Sequence, residues 1–169
     1  MNVNIKRLSP DAQIPQYAHA SDACFDLVAA EDVIIEPGET ALVKTGLAFE
    51  IPEGYEMQIR PRSGITLKTK LRVQLGTVDA GYRGEVGVIV DNIAPLNMEV
   101  PFDYGPLIVT GEIYKMNGEL PQFSYIIRKG DRICQAVIKP VEQVSFTEVC
   151  DLNDSERGGD GFGSSGTSI

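Results

Sequence analysis

The segment Thr40-Ala-Leu-Val-Lys-Thr-Gly-Leu-Ala-Phe-Glu-Ile51 decides the fold class. Ala41, Val43, Thr45, Leu47 and Phe49 fall on one side of it, the period of a half-buried strand rather than a helix. Glu-Pro-Gly at 36–38 and Pro-Glu-Gly at 52–54 bound it, and their Gly and Pro supply the φ values that turns demand. The same style recurs on either side, at 4–8, 55–60, 71–75, 84–92, 124–127 and 133–138, with β-branched and aromatic residues in excess. Further turn signals stand at Asp-Ala-Gly 79–81 and Lys-Gly-Asp 129–131. There is room for one short helix near 64–70. The pattern predicts an all-β domain: a sandwich, a barrel or a jelly roll.

At 169 residues and 43% apolar content the chain suits one domain with a single core, expected over 1–150. Residues 94–119, rich in Pro, Gly and Asn, read as an insertion on a loop. Residues 151–169 are rich in Gly and Ser and cannot build a core of their own. A net charge of −9 argues against a general nucleic-acid binder, which needs a cationic surface. It leaves open a nucleotide enzyme that holds a polyanion with a few placed Arg residues and a metal ion. No apolar run approaches a membrane span, and residues 1–9 carry no signal-peptide stretch. Cys24, Cys134 and Cys150 form no Cys-x-x-Cys pair, which fits a reducing, cytoplasmic compartment. The single His19 reads as a residue of a solvated turn.

Five segments carry polar residues in places where chemistry is done. Gly76-Thr-Val-Asp79-Ala-Gly-Tyr82-Arg-Gly-Glu85 sets a carboxylate and an aromatic ring at a hairpin rim, where backbone groups are free to read a base edge. A turn Asp beside a packing Tyr is the plainer reading of the same residues. Arg60-Pro-Arg62-Ser63-Gly64 offers forked donors, a hydroxyl and a bare backbone to an anion, or is simply an Arg-rich surface turn. Asp22 and Asp26 bring two acids near the N-terminus, where a carboxylate can hold hydrated Mg²⁺ or serve as a strand-edge charge. Gln135, in Lys129-Gly-Asp131-Arg-Ile-Cys-Gln135, is either a ligand or a strand-edge residue. Arg157-Gly-Gly-Asp-Gly-Phe162-Gly-Ser-Ser-Gly166 is either a linker or an arm that closes on a phosphate and a base with its one Arg and one Phe.

In this order the five segments resemble the five motifs of the homotrimeric dUTPase family, from about residue 20 to 166. Pro61-Arg-Ser-Gly64, Val78-Asp-Ala-Gly-Tyr-Arg-Gly-Glu85 and Gly161-Phe-Gly-Ser-Ser-Gly166 carry the closest wording. The resemblance implies a jelly-roll-like β subunit in a homotrimer. Each active site there is built by three chains, with a flexible C-terminal arm closing it. It implies hydrolysis of dUTP to dUMP and pyrophosphate, with Asp79 as general base and Tyr82 under the deoxyribose. Gly76, Thr77 and Val78 would read uracil through the backbone. Arg62, Ser63, Gly64 and Gln135 would contact phosphates. Arg157 would hold the γ-phosphate, Phe162 would stack on uracil, and Gly163 and Ser164 would complete the arm's contacts. Asp26 would touch Mg²⁺ through water.

Two departures stand out. Val73, with Gln74 beside it, occupies a position that is Asn in many bacterial members. The stretch between Asn92 and Lys129 is also longer than usual, similar to phage dUTPases of Gram-positive hosts. Some of those proteins also bind a repressor, so the insertion is a candidate surface for a repressor partner, and a phage origin would place the enzyme in the host cytoplasm. Two other readings stand beside this one. A dCTP deaminase of related fold would carry a catalytic Glu where Ile89 stands. A regulatory binding protein that uses dUTP only as a switch would have no need of Asp26, Arg62, Asp79, Tyr82 and Arg157 together.

Overall fold

The computed structural model describes residues 1–96, 106–113 and 120–160. Among these residues, four small antiparallel or mixed sheets wrap one apolar core. The first pairs β1 (Asn4–Arg7) with β5 (Leu47–Glu50). The largest runs in the order β2 (Phe25–Val28), β12 (Arg132–Pro140), β6 (Tyr55–Arg60) and β8 (Gly76–Asp79). A third joins β4 (Thr40–Lys44), β9 (Gly87–Asn92) and β7 (Leu71–Val73). The fourth joins β10 (Leu107–Ile108), β11 (Tyr125–Ile127) and β3 (Val33–Ile35). One short helix, α1 (Ser63–Lys68), follows β6. Leu27, Ile35, Val43, Leu47, Met57, Leu71, Val88, Ile127 and Ile133 are fully enclosed between the sheets. Each such side chain contributes about 1.5–3 kcal/mol of transfer free energy.

The strand reading holds, with physical exceptions. The 40–51 run is two strands in two different sheets. Gly46 breaks it at φ +68, and a Cβ there would lie 2.8 Å from that of Ala12. The buried Thr45 hydroxyl donates to the Val86 carbonyl at 2.6 Å and fixes the corner. Beyond it Leu47, Ala48 and Phe49 are all buried, so the alternation ends where β5 is enclosed on both faces.

The expected hairpin at 76–85 is likewise different. Gly76–Asp79 is itself a strand, paired with β6, whereas β9 pairs with β4 and β7. The segment between them is therefore a crossover from one sheet to another. Within the expected insertion, Leu107–Ile108 is a strand paired in parallel with β11, so part of the insertion is built into the sheet and is not a plain loop. Buried Asn92 anchors its base: Nδ2 donates to the carbonyls of Ile35 at 3.0 Å and Phe123 at 2.8 Å, and Oδ1 accepts from the Ala94 amide.

Candidate active site

The large sheet places two clusters of polar residues. In register, Asp26 of β2 faces Gln135 of β12, which faces Arg60 of β6. At the end of β6 the chain turns through Pro61 and Arg62 into α1. Around this end lies a cleft of about 400 Å³ lined by Asp26, Arg62, Ser63, Gly64, Arg132 and Gln135, with His19, Asp22 and Cys24 at its edge.

The geometry is that of a fixed cradle of guanidinium donors. Arg62 Nε donates to Asp26 Oδ1 at 2.9 Å, and Arg62 Nη1 donates to the Arg132 carbonyl at 3.1 Å. Arg132 Nη1 meets Asp26 Oδ2 at 3.3 Å. The half-buried carboxylate thus clamps two guanidinium groups, and each keeps N–H donors for an anion. Gln135 Nε2 donates to the Pro61 carbonyl at 2.8 Å, which leaves its second N–H for a ligand. Ser63 and Gly64 open the first turn of α1, whose leading amides have no intrahelical acceptor. A Cβ at Gly64 would meet nothing within 4 Å, so the backbone there is open to a close approach. Beneath the cradle, burial pushes the Cys134 thiol up to about 12; Asp26 adds to the shift, while Arg62 and a backbone hydrogen bond at Leu27 oppose it. Such a thiol is unreactive.

The second cleft, about 300 Å³, lies around the crossover and is lined by Thr77, Val78, Asp79 and Tyr82, with Leu42, Gly87 and Ile89 as its apolar floor. β8 is the last strand of its sheet, so the outward amides and carbonyls of residues 76–78 have no strand partner among the described residues. Gly76 sits on this edge, opposite Ile59. Asp79 is exposed, and its carbonyl accepts from the Tyr82 amide at 3.0 Å, closing the turn. The Tyr82 hydroxyl donates to the Glu85 carbonyl at 2.9 Å, directly over Gly84.

The residues expected to act together are therefore divided. Asp26, Arg62, Ser63, Gly64 and Gln135 share the first cleft, while Thr77, Val78, Asp79 and Tyr82 share the second. Arg157 lines neither: it lies on the exposed C-terminal segment, with Nε donating to the Asp160 carbonyl at 2.8 Å. Phe162, Gly163 and Ser164 fall outside the described residues. Arg132 was missed in the sequence because strict alternation sets it on the face opposite Gln135. A register shift between Arg132 and Cys134 brings it round to the Asp26 carboxylate. His19 does lie in an exposed turn, as expected, but that turn borders the first cleft.

A dUTPase family profile matches residues 10–101 and 111–166, in these same segments. The chain belongs to the dUTPase family. The match is interrupted at 102–110, within the expected insertion. Among curated relatives, the deoxyuridine 5'-triphosphate nucleotidohydrolase of Clostridium tetani (strain Massachusetts / E88) is 43% identical over 97% of this chain and 96% of its own length. That of Nautilia profundicola is 44% identical over 98% of this chain and 99% of its own. Among solved structures, the dUTPase of Staphylococcus bacteriophage 80alpha with dUpNHpp superposes with a TM-score of 0.91 at 38% identity, over 98% of this chain and 99% of that one. The phage phi11 dUTPase of S. aureus, solved to visualise a species-specific insert, gives 0.85 at 33%, over 92% and 100%. The architecture of this dUTPase is accordingly the family's all-β, jelly-roll-like fold.

Proposed function

We propose that this dUTPase hydrolyses dUTP to dUMP and pyrophosphate by attack of water at the α-phosphorus. One observation carries the reading: a cradle of guanidinium donors and a strand edge unpaired among the described residues, beside an exposed Asp–Tyr pair, stand on one sheet. The edge of β8 at Gly76, Thr77 and Val78 reads uracil in a space too tight for the methyl of thymine, and the Tyr82 ring under the deoxyribose leaves no space for a 2′-hydroxyl. Asp79 orients and deprotonates the attacking water. Arg62, Ser63, Gly64 and Gln135 hold the phosphates and offset the charge that develops on the leaving group. Arg157 closes on the γ-phosphate and Phe162 on the base, with Gly163 and Ser164 alongside.

Mg²⁺ fits this cleft as a nucleotide-borne ion. Asp26 already accepts from two guanidinium groups and has lone pairs left for a water ligand, and no described cluster of three or more His, Cys, Asp or Glu could cage a metal. The phi11 protein was solved with a structural Mg(II) ion. When bound, Mg²⁺ supplies charge neutralisation on the triphosphate. Asp26 would hold it through water.

The assembly is a homotrimer in which each site takes its phosphate cradle, its β8 edge and its arm from different chains. The division of one chain's residues between two clefts supports this. So does the segment after β12, where Val144, Phe146, Val149 and Leu152 stand exposed, Phe146 at 93%. No described helix is long and apolar enough to cross a membrane, and the reading is of a cytoplasmic enzyme, in the host cytoplasm if phage-encoded.

The test is product analysis with dUTP, dCTP, dTTP and UTP, each with Mg²⁺. Pyrophosphate from dUTP alone is expected. Deaminated dCTP would move the protein to the deaminase chemistry, against which Ile89 argues: its apolar side chain faces the same cleft as Tyr82 and cannot carry a proton.

A second role is proposed for 94–119. The 80alpha dUTPases were solved as regulators of virulence-gene transfer by a G protein-like mechanism, and here the family match breaks inside this segment. Deleting 94–119 is expected to spare turnover and abolish capture of a repressor partner; capture that survives the deletion refutes the role.

A further inference from the structure

His19 borders the phosphate cleft on a turn that fixes its ring. The His19 amide donates to Asp22 Oδ2 at 2.9 Å, and the ring nitrogen Nδ1 lies 3.1 Å from the same oxygen. The Asp22 amide in turn donates to the His19 carbonyl at 3.1 Å. A carboxylate only accepts, so Nδ1 carries the proton of that contact. Nε2 is then the free end of the ring, and its side chain is 80% exposed.

The charge balance of the cleft gives this ring a task. The charged groups facing it are Asp22 from its own turn, Asp26 from β2, Arg62 after β6 and Arg132 from β12. Two guanidinium groups are matched by two carboxylates, and both guanidinium groups are engaged by Asp26. His19 Nε2 is a further side-chain nitrogen at this cleft, and a ring that carries protons on both nitrogens donates from each.

We propose that His19 binds the phosphate tail of the nucleotide through Nε2, with Asp22 acting through it as a positioning residue. This rests on the reading of the cleft as the phosphate cradle. It adds a contact contributed by a loop, outside the strand ends and α1.

The chain has one His, so the imidazole Hε1 proton of the protein gives a single, unambiguous NMR signal. Inorganic pyrophosphate is expected to move both that signal and the Gln135 side-chain amide, while 2′-deoxyuridine moves neither. Movement of Gln135 without His19 overturns the proposal and leaves the cradle standing. If neither moves, the phosphate reading of the cleft itself falls. In kinetics, His19→Ala is expected to raise KM for dUTP about five-fold, well beyond any change in kcat. His19→Gln, whose amide nitrogen reaches the Nε2 position, recovers most of that loss, and His19→Asn does not. Asp22→Asn falls between, because the ring is kept but no longer held. Equal losses in the Ala and Gln variants would overturn the Nε2 contact.

Discussion

Among the described residues the Asp79 carboxylate has no hydrogen-bond partner and packs against nothing in the core. Asp79→Asn therefore removes the proposed base without removing support. Turnover is expected to fall by about 10²–10⁴-fold while thermal stability and dUTP binding stay as they were. Steady-state rates beside a melting curve check this, and undiminished turnover would remove Asp79 from the chemistry. Tyr82 depends on a residue with no side chain at all. A Cβ at Gly84 would stand 2.4 Å from the Tyr82 hydroxyl, so Gly84→Ala must swing the ring away from the Glu85 carbonyl. The preference for dUTP over UTP is expected to weaken by about tenfold, read as a ratio of kcat/KM values. Both candidate residues were legible in the sequence, because Asp and Tyr three apart in a Gly-rich crossover are a local pattern. Arg132 was not, because its position depends on a bulge that no spacing announces.

At the scale of elements, the sequence showed where strands lie better than how they pair. Strand 40–51 looked continuous because Thr45 and Leu47 keep the alternation across the corner. Only Gly46 marked the break, and an isolated Gly in a strand pattern has several meanings. The corner is set by contacts from distant segments: Ser9, Ala12 and Ala30 crowd the missing Cβ, and Glu85 Oε1 accepts from the Gly46 amide at 2.8 Å. Gly46→Ala forces a side chain both into a left-handed backbone and into that crowd. The expected cost is roughly 2–4 kcal/mol, seen as a clear drop in melting temperature with the secondary-structure spectrum retained below it. A variant that melts with the parent protein would show that the corner relaxes freely. β2, β3 and β8 were likewise hidden as strands, since three or four residues carry too little periodicity to separate a strand from a loop with acids in it.

At the scale of the whole molecule, the separation of the two clefts makes a prediction that neither cleft makes alone. If one chain supplied both the β8 edge and the arm to a single site, Asp79→Asn and a truncation lacking 154–169 could never repair each other. Every site would then contain at least one defect. If the edge and the arm come from different chains, a mixed trimer contains some sites with an intact Asp79 from a truncated chain and an intact Arg157 arm from an Asp79→Asn chain. Random co-assembly in equal amounts makes about a quarter of sites competent, because two independent choices must each go the right way. Co-expressing the two inactive variants and purifying the mixed species is thus expected to recover about a third of parental turnover per site, because removing the two inactive homotrimers leaves trimers with one competent site in three. Each variant alone should assemble to three times its own chain mass (18.4 kDa for the chain with Asp79→Asn, less for the truncation) and stay nearly inactive. Failure of the truncated chain to assemble would place the exposed apolar run at Val144, Phe146, Val149 and Leu152 under the control of the deleted residues rather than of the remaining body. Normal assembly with no recovery in the mixture would mean that the edge and the arm are furnished by the same chain, and the division of the clefts would need another cause.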